Sequence, residues 1–143
     1  MSQDVTADIT EAAIEARLRS VGVTPTRQRM AIARVMFARA QHLSAEQLVA
    51  ELRRRGDEHV SKATVYNTLG LFAEMGLVRP VIADPERVFY DSNLSEHHHL
   101  YDVDSGTLTD IEPGSVAVGP VQGLDRELEV TGVDVVVRVR RAR

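Results

Sequence analysis

Apolar residues recur at helical spacing through the first half of the chain and at alternate positions in much of the second. In EAAIEARLRSV, Ile14, Leu18 and Val21 stand at i, i+4 and i+7. That spacing predicts a helix over 11–21, with Thr10 as its cap and Gly22 as its stop. After TPT, the segment RQRMAIARVMFARA predicts a second helix over 27–40, its buried face built from Met30, Ile32, Ala33, Val35, Met36 and Phe37. Ser44 and Gln47 form an S-x-x-Q capping pair ahead of Leu48, Val49 and Leu52, so a third helix starts there and closes at Gly56. Ser61 opens a fourth, KATVYNTLGLFAEM, with Val65, Leu69 and Phe72 inward and Gly76 at its end. LVRPVIA, an Asp84-Pro85 turn and RVFYD then read as a β-hairpin. Residues 1–9 are polar and expected to fray. Helices followed by a hairpin are the layout of a winged helix-turn-helix.

Beyond Asp91, SNLSE is a polar connector, and HHHLYDV and GTLTDI predict two strands joined around Ser105-Gly106. The stretch 113–123 is rich in Gly and Pro and predicts no element. In VDVVVRVRR, valines at 133, 135, 137 and 139 alternate with Asp134, Arg138 and Arg140, and Val136 breaks the polar face. This is a half-buried strand. A domain of roughly 50 residues has little core of its own, so a second copy of the chain is the expected cover. The expected fold is α+β: a winged helix-turn-helix over 1–91, a hinge over 92–96 and a small α/β dimerisation domain over 97–143.

Composition narrows the chemistry. The chain has 143 residues, 43% of them apolar, enough for one ordinary domain or two small ones. With no run as long as a membrane span and no signal-peptide pattern, a cytoplasmic protein with no membrane partner is expected. There is no cysteine, which excludes disulfides, thiol nucleophiles and a structural Cys-zinc site. Any metal is held by nitrogen and oxygen. The net charge of −4 is uneven: residues 12–83 carry 11 Lys+Arg against 6 Asp+Glu, and residues 84–143 carry 6 against 12. A basic front is suited to a polyanion.

In a helix-turn-helix the second helix of the motif enters the major groove. Lys62, Thr64, Tyr66 and Asn67 crowd its first turns. Lys62 suits a phosphate or a guanine edge, Asn67 the bidentate edge of adenine, and Thr64 and Tyr66 the thymine methyl. Arg27 and Arg29 open the second helix and suit phosphates. Taken singly, each of these is equally a member of a solvated polar face. Arg53, Arg54 and Arg55 read more simply as favourable charges at a helix C-terminus.

Three of the five histidines, His97, His98 and His99, are adjacent. On a strand His97 and His99 share a face and His98 takes the other. Two imidazoles two residues apart make a metal clamp. Asp91 lies six residues upstream, an antiparallel hairpin returns Asp110 beside the histidines, and His42 precedes the third helix. Meeting together, these five give three nitrogens and two carboxylates, a neutral set for a divalent cation such as Fe(II) or Mn(II). The alternative is a run of surface histidines on a loop.

GVTPTRQRMAI, HLSAEQL, VSKATVYNTLGLFAEMGLV and the D-x5-H-x-H followed by GTLTDI together resemble the ferric uptake regulator superfamily from about residue 12 to 111. ATVYNTL, FYDSNLSEHHH and VDVVVRVRR look most like its iron response regulator branch, and the ligand layout is similar to its peroxide regulator branch. The resemblance implies a homodimer of winged helices that binds double-stranded operator DNA under control of a metal and is not an enzyme. It places the regulatory ligands on His42, Asp91, His97, His99 and Asp110, the DNA-contacting tyrosine on Tyr66, and a haem-binding role on His97, His98 and His99. Three features depart from it. The CxxC zinc site and the Cys-Pro haem motif are missing, and Thr24 stands where many relatives carry a basic residue. No histidine follows His99, so one metal site per chain is expected. A peroxide sensor that oxidises a ligand histidine is the alternative function. A metal-dependent hydrolase is a distant one, with no general base in view beyond the ligands.

Overall fold

Thr10, Thr26, Ser44 and Ser61 each cap a helix, their hydroxyls accepting from the backbone N–H of Ala13, Arg29, Gln47 and Thr64. Such caps satisfy N–H groups that the helix leaves unbonded, each worth about 1 kcal/mol. In this computed structural model, which describes residues 9–143, they begin α1 (Glu11–Ser20), α2 (Arg27–Phe37), α3 (Ala45–Arg54) and α4 (Lys62–Glu74). The capping box is complete: Gln47 Oε1 accepts from the Ser44 N–H at 2.9 Å. α2 stops at Phe37, three residues short of the sequence expectation. The Gln41 side-chain amide donates to the Val35 carbonyl at 2.6 Å and closes the helix end. Of the stretch expected to fray, residues 1–8 lie outside the described residues, and Ile9 packs partly buried against the core.

The chain divides into two compact units, Met1–Leu94 and Ser95–Arg143. In the first, the four helices enclose Leu18, Ile32, Met36, Leu48, Leu52, Val65, Leu69 and Phe72, all essentially inaccessible. Each such side chain contributes about 1.5–3 kcal/mol of burial. Phe37 stacks on Phe72 at 5.9 Å between centroids, and the Arg17 guanidinium covers Phe37 at 4.2 Å. Arg34 of α2 pairs with Glu11 of α1.

The wing hairpin forms as expected from β2 (Arg79–Asp84) and β3 (Arg87–Asp91). Asp84 Oδ1 accepts from the Glu86 N–H at 2.8 Å and shapes the turn. A short strand absent from the sequence reading, β1 (His42–Ser44), pairs with β3, so the order is β1-β3-β2 with β3 central. Three residues carry too little alternation to be read as a strand. Pairing with β3 creates it.

The second unit is a three-stranded sheet of β4 (His98–Asp102), β5 (Thr107–Ile111) and β6 (Val136–Val139) in the order β5-β4-β6. β4 and β5 are an antiparallel hairpin. Asp102 Oδ1 accepts from the Asp104 N–H at 2.9 Å, and Gly106 takes a φ of +72° that side-chain-bearing residues rarely adopt. β6 runs parallel to β4, a geometry that requires a long crossover. Residues 112–135 supply it, with only a 3-10 turn at Pro113–Ser115. The second unit therefore has no α-helix among its described residues, and its helical part is that one turn. The tail strand is shorter than its valine pattern, because β4 offers partners only from His99 to Asp102.

Candidate functional site

β4 is the central strand of the second sheet, so its backbone is hydrogen-bonded on both sides and its side chains are firmly placed. His97 immediately precedes it and His99 lies within it, 8% and 3% exposed. Their rings lie 4.5 Å apart, on the one strand face that two-residue spacing gives them. Direct cross-strand pairing sets Asp110 of β5 opposite His99. His97 Nε2 and His99 Nε2 each lie 3.4 Å from the same carboxylate oxygen, Asp110 Oδ1.

The hydrogen bonding gives this cluster a polarity. His97 Nδ1 is 2.7 Å from the Ser95 carbonyl, which can only accept, so Nδ1 is the donor. In a neutral ring Nε2 then presents a lone pair toward a carboxylate that also carries lone pairs. A positive charge between them relieves the repulsion. Orienting a ligand histidine through its other nitrogen is the usual arrangement at metal sites. Spacing agrees: donors ~2.1 Å from one ion at tetrahedral to octahedral angles stand ~3.0–3.4 Å apart. The ligand atoms of His97, His99 and Asp110 all fall within 4.8 Å of one another. This donor set fits Fe(II) or Mn(II).

The first unit holds the other two sequence-predicted ligands, also as a cross-strand pair. His42 of β1 stands opposite Asp91 of β3. Asp91 is wholly inaccessible, an expensive place for a carboxylate unless it is paired or metal-bound. Its Oδ1 accepts from the Asn93 N–H at 2.8 Å. His42 meets the edge of Phe89 at 6.3 Å. His98 points away from the cluster, as strand alternation predicts. Its Nδ1 is buried with no hydrogen-bond partner among the described residues. It lines a cavity of about 430 Å³ together with Val118, Val121, Val130 and Val133.

Of the residues expected to meet DNA, Lys62, Tyr66, Asn67 and Arg27 are exposed. The other two are half-buried and engaged: Arg29 Nη1 donates to the Thr24 carbonyl at 2.9 Å, and the Thr64 hydroxyl lies 2.8 Å from that of Ser61 at the cap. Arg54 and Arg55 pair with Glu51, at 3.0 Å for Arg55, which agrees with the reading of the Arg53–Arg55 run as a helix-end charge cluster. One contact had no signal in the sequence: the Tyr66 hydroxyl donates to the Glu46 carboxylate, twenty residues away on α3.

A helical unit with a three-stranded wing, followed by a small sheet bearing a His/His/Asp cluster, defines a winged-helix regulator with a metal-binding unit. The model of the ferric uptake regulator family matches residues 20–133, and the chain belongs to that family. It is 36% identical over 111 residues, 75% of each chain, to the ferric uptake regulation protein of Synechococcus elongatus. It is 30% identical over 95 residues to the peroxide-responsive repressor PerR of Staphylococcus epidermidis, spanning 63% of that protein's length. Among solved structures it resembles the ferric uptake regulator of Pseudomonas aeruginosa with manganese, with a TM-score of 0.67, 25% identity and coverage of 90% and 98% of the two chains. The Vibrio cholerae regulator shares the fold at a TM-score of 0.69 and 21% identity. The chain is a metal-responsive transcription regulator of this family and not an enzyme. The hydrolase reading falls with that assignment. Among the described residues no helix is long and apolar enough to cross a membrane.

Proposed function

We propose that this chain is an iron-status regulator of the iron response type, a homodimer that binds double-stranded operator DNA under control of Fe(II) or Mn(II) in the cytoplasm. The observation that carries the reading is the approach of His97 and His99 to one Asp110 oxygen at 3.4 Å each. His42 and Asp91 complete the ligand set from the first unit, one site per chain. Asp91 is only six residues from His97 along the chain, and its burial supports a role that compensates its charge.

A bound cation supplies positive charge that offsets the two carboxylates. The chain's own part is positional. Ser95 holds the His97 ring with Nε2 forward, and the β4–β5 register keeps Asp110 opposite His99. Ligands drawn from both units restrict the hinge over 92–96. That restriction sets the spacing of the paired α4 helices, which must match half-sites about one helical turn, ~34 Å, apart. The metal acts only through its preference for the competent arrangement. Lys62, Thr64, Tyr66 and Asn67 read the groove, and Arg27 and Arg29 meet phosphates. Operator binding with and without Mn(II), for the native chain and His97→Ala, tests this. Equal affinity in all four cases ends it.

Haem control belongs to the same reading. The His98 Nδ1 atom and the valine-lined cavity supply a nitrogen ligand and an apolar wall of the kind haem takes, with His97 also on the cavity wall. Haem titration of the native chain and of His98→Ala, followed by absorption, checks it. The second reading, a peroxide sensor, draws on the likeness to PerR of Staphylococcus epidermidis. Mass spectrometry after Fe(II) and peroxide separates the two: the mass of one added oxygen on His42 or His97 favours the sensor.

A further inference from the structure

The Tyr66–Glu46 contact constrains which bases the recognition helix can read. Tyr66 lies on the second turn of α4, 41% exposed. Glu46 lies in the first turn of α3. A carboxylate has only acceptor atoms, so the tyrosine hydroxyl is the donor in their hydrogen bond. A hydroxyl has one proton. With that proton directed at Glu46, the oxygen turns only lone pairs toward an incoming duplex. The carboxyl is charged when this happens: the Tyr66 hydroxyl, then the Glu46 backbone N–H, and more weakly Lys62 and Arg87, hold it below its ordinary value.

The major groove is then filtered by chemistry. Adenine N6 and cytosine N4 carry amino groups that donate, whereas thymine O4 and guanine O6 and N7 only accept. Phosphate oxygens also only accept. A free tyrosine hydroxyl could donate to any of these acceptors, but one committed to Glu46 cannot. We infer that Glu46 is a specificity-determining residue, fixing Tyr66 as a hydrogen-bond acceptor that selects an amino-bearing base, adenine or cytosine. Adenine fits best, because the thymine methyl beside it suits the tyrosine ring. Glu46 thereby turns Tyr66 from a potential phosphate clamp into a base reader. This rests on the proposal that α4 reads DNA.

The test begins with a duplex selected by the native chain from a random-sequence library in Mn(II). Each adenine in it is then replaced by purine, and each cytosine by an analogue, so that a single amino group is removed at a time. Binding is compared for the native chain, Tyr66→Phe, Glu46→Ala and the double variant. The expected result is one position per half-site where losing the amino group weakens native binding about fivefold, the scale of one hydrogen bond. That penalty shrinks below about twofold in Tyr66→Phe and in the double variant, whereas Glu46→Ala, its hydroxyl free to donate as well as accept, binds duplexes with thymine or guanine at that position about as well as the selected one. Glu46→Leu, which also lacks an acceptor, repeats the measurement should Glu46→Ala fail to fold, and thermal melting reports folding throughout. If removing Glu46 changes the affinity of every duplex by one common factor, with or without the tyrosine hydroxyl, Glu46 is only a charge and the inference is wrong. If the native chain selects no duplex at all, the DNA reading itself fails and takes the inference with it.

Discussion

His99 of β4 and Asp110 of β5 face each other directly across an antiparallel pair, with Nε2 of the first 3.4 Å from Oδ1 of the second. His42 and Asp91 repeat that relationship across β1 and β3 of the first unit. Each unit thus offers a histidine and a carboxylate at one register position. Rigid strand pairing sets both pairs before any ligand arrives.

Losing a ligand should therefore weaken metal binding without unfolding the chain. His97→Ala and Asp110→Asn are each expected to reduce Mn(II) affinity by about 100-fold or more, beyond the 10–100-fold typical of outer partners. Calorimetric titration measures the affinity. The Asp110 side chain is 48% exposed, so the melting temperature of metal-free Asp110→Asn should stay close to that of the native chain.

Ser44 caps α3 and follows His42 and Leu43 in β1. Ser44→Ala removes the hydroxyl that accepts from the Gln47 N–H and is expected to destabilise the first unit by about 1 kcal/mol. Urea unfolding monitored by circular dichroism gives the value.

Phe72 is completely buried and stacked on Phe37. Phe72→Ala opens a cavity in the centre of the helical unit, with an expected cost of about 3–5 kcal/mol. The same unfolding measurement checks it, and a loss below about 1 kcal/mol would contradict the packing described.

Glu51 is held down to about 2 by hydrogen bonds from Arg54 and then Arg55. A carboxyl lowered on folding stabilises the protein above its ordinary value of 4.5. That contribution is lost as pH falls toward about 2, the folded value. Glu51→Gln should flatten the dependence of melting temperature on pH within that window and leave it unchanged near neutrality. The group is on the surface, so the effect is small and fades with added salt.

Leu128 and Val130 are 61% and 48% exposed on the second unit, along with Val118, Val121 and Val133. The proposed homodimer is expected to cover this surface. Leu128→Asp and Val130→Asp are expected to weaken self-association by about tenfold or more, since each places an unpaired charge at an apolar contact. Sedimentation across a concentration series reads the change. Unaltered association would place the dimer contact elsewhere.

Much of the first unit was legible because each local signal agreed with the others. Thr10, Ser44 and Ser61 marked helix starts that also began apolar faces, and Gly22, Gly56 and Gly76 closed them with the positive φ they adopt. Strand alternation was enough to separate His98 from His97 and His99. The β4–β5 turn was enough to return Asp110. The short strand at His42 was not legible, because three residues have no period. The crossover before Val133 carried no period that was read, and its valines are mostly exposed.

By itself the sequence determined the helices, the wing, the absence of thiol chemistry and the residue types able to hold a metal. These follow from local preference and from an inventory of side chains. Only the tertiary structure decided that one Asp110 oxygen serves two imidazoles, that β1 sets His42 opposite Asp91, and that Glu46 accepts the hydrogen bond of the Tyr66 hydroxyl. Each of these joins residues far apart in the chain. Such contacts depend on strand register and helix packing, which no short window of sequence encodes.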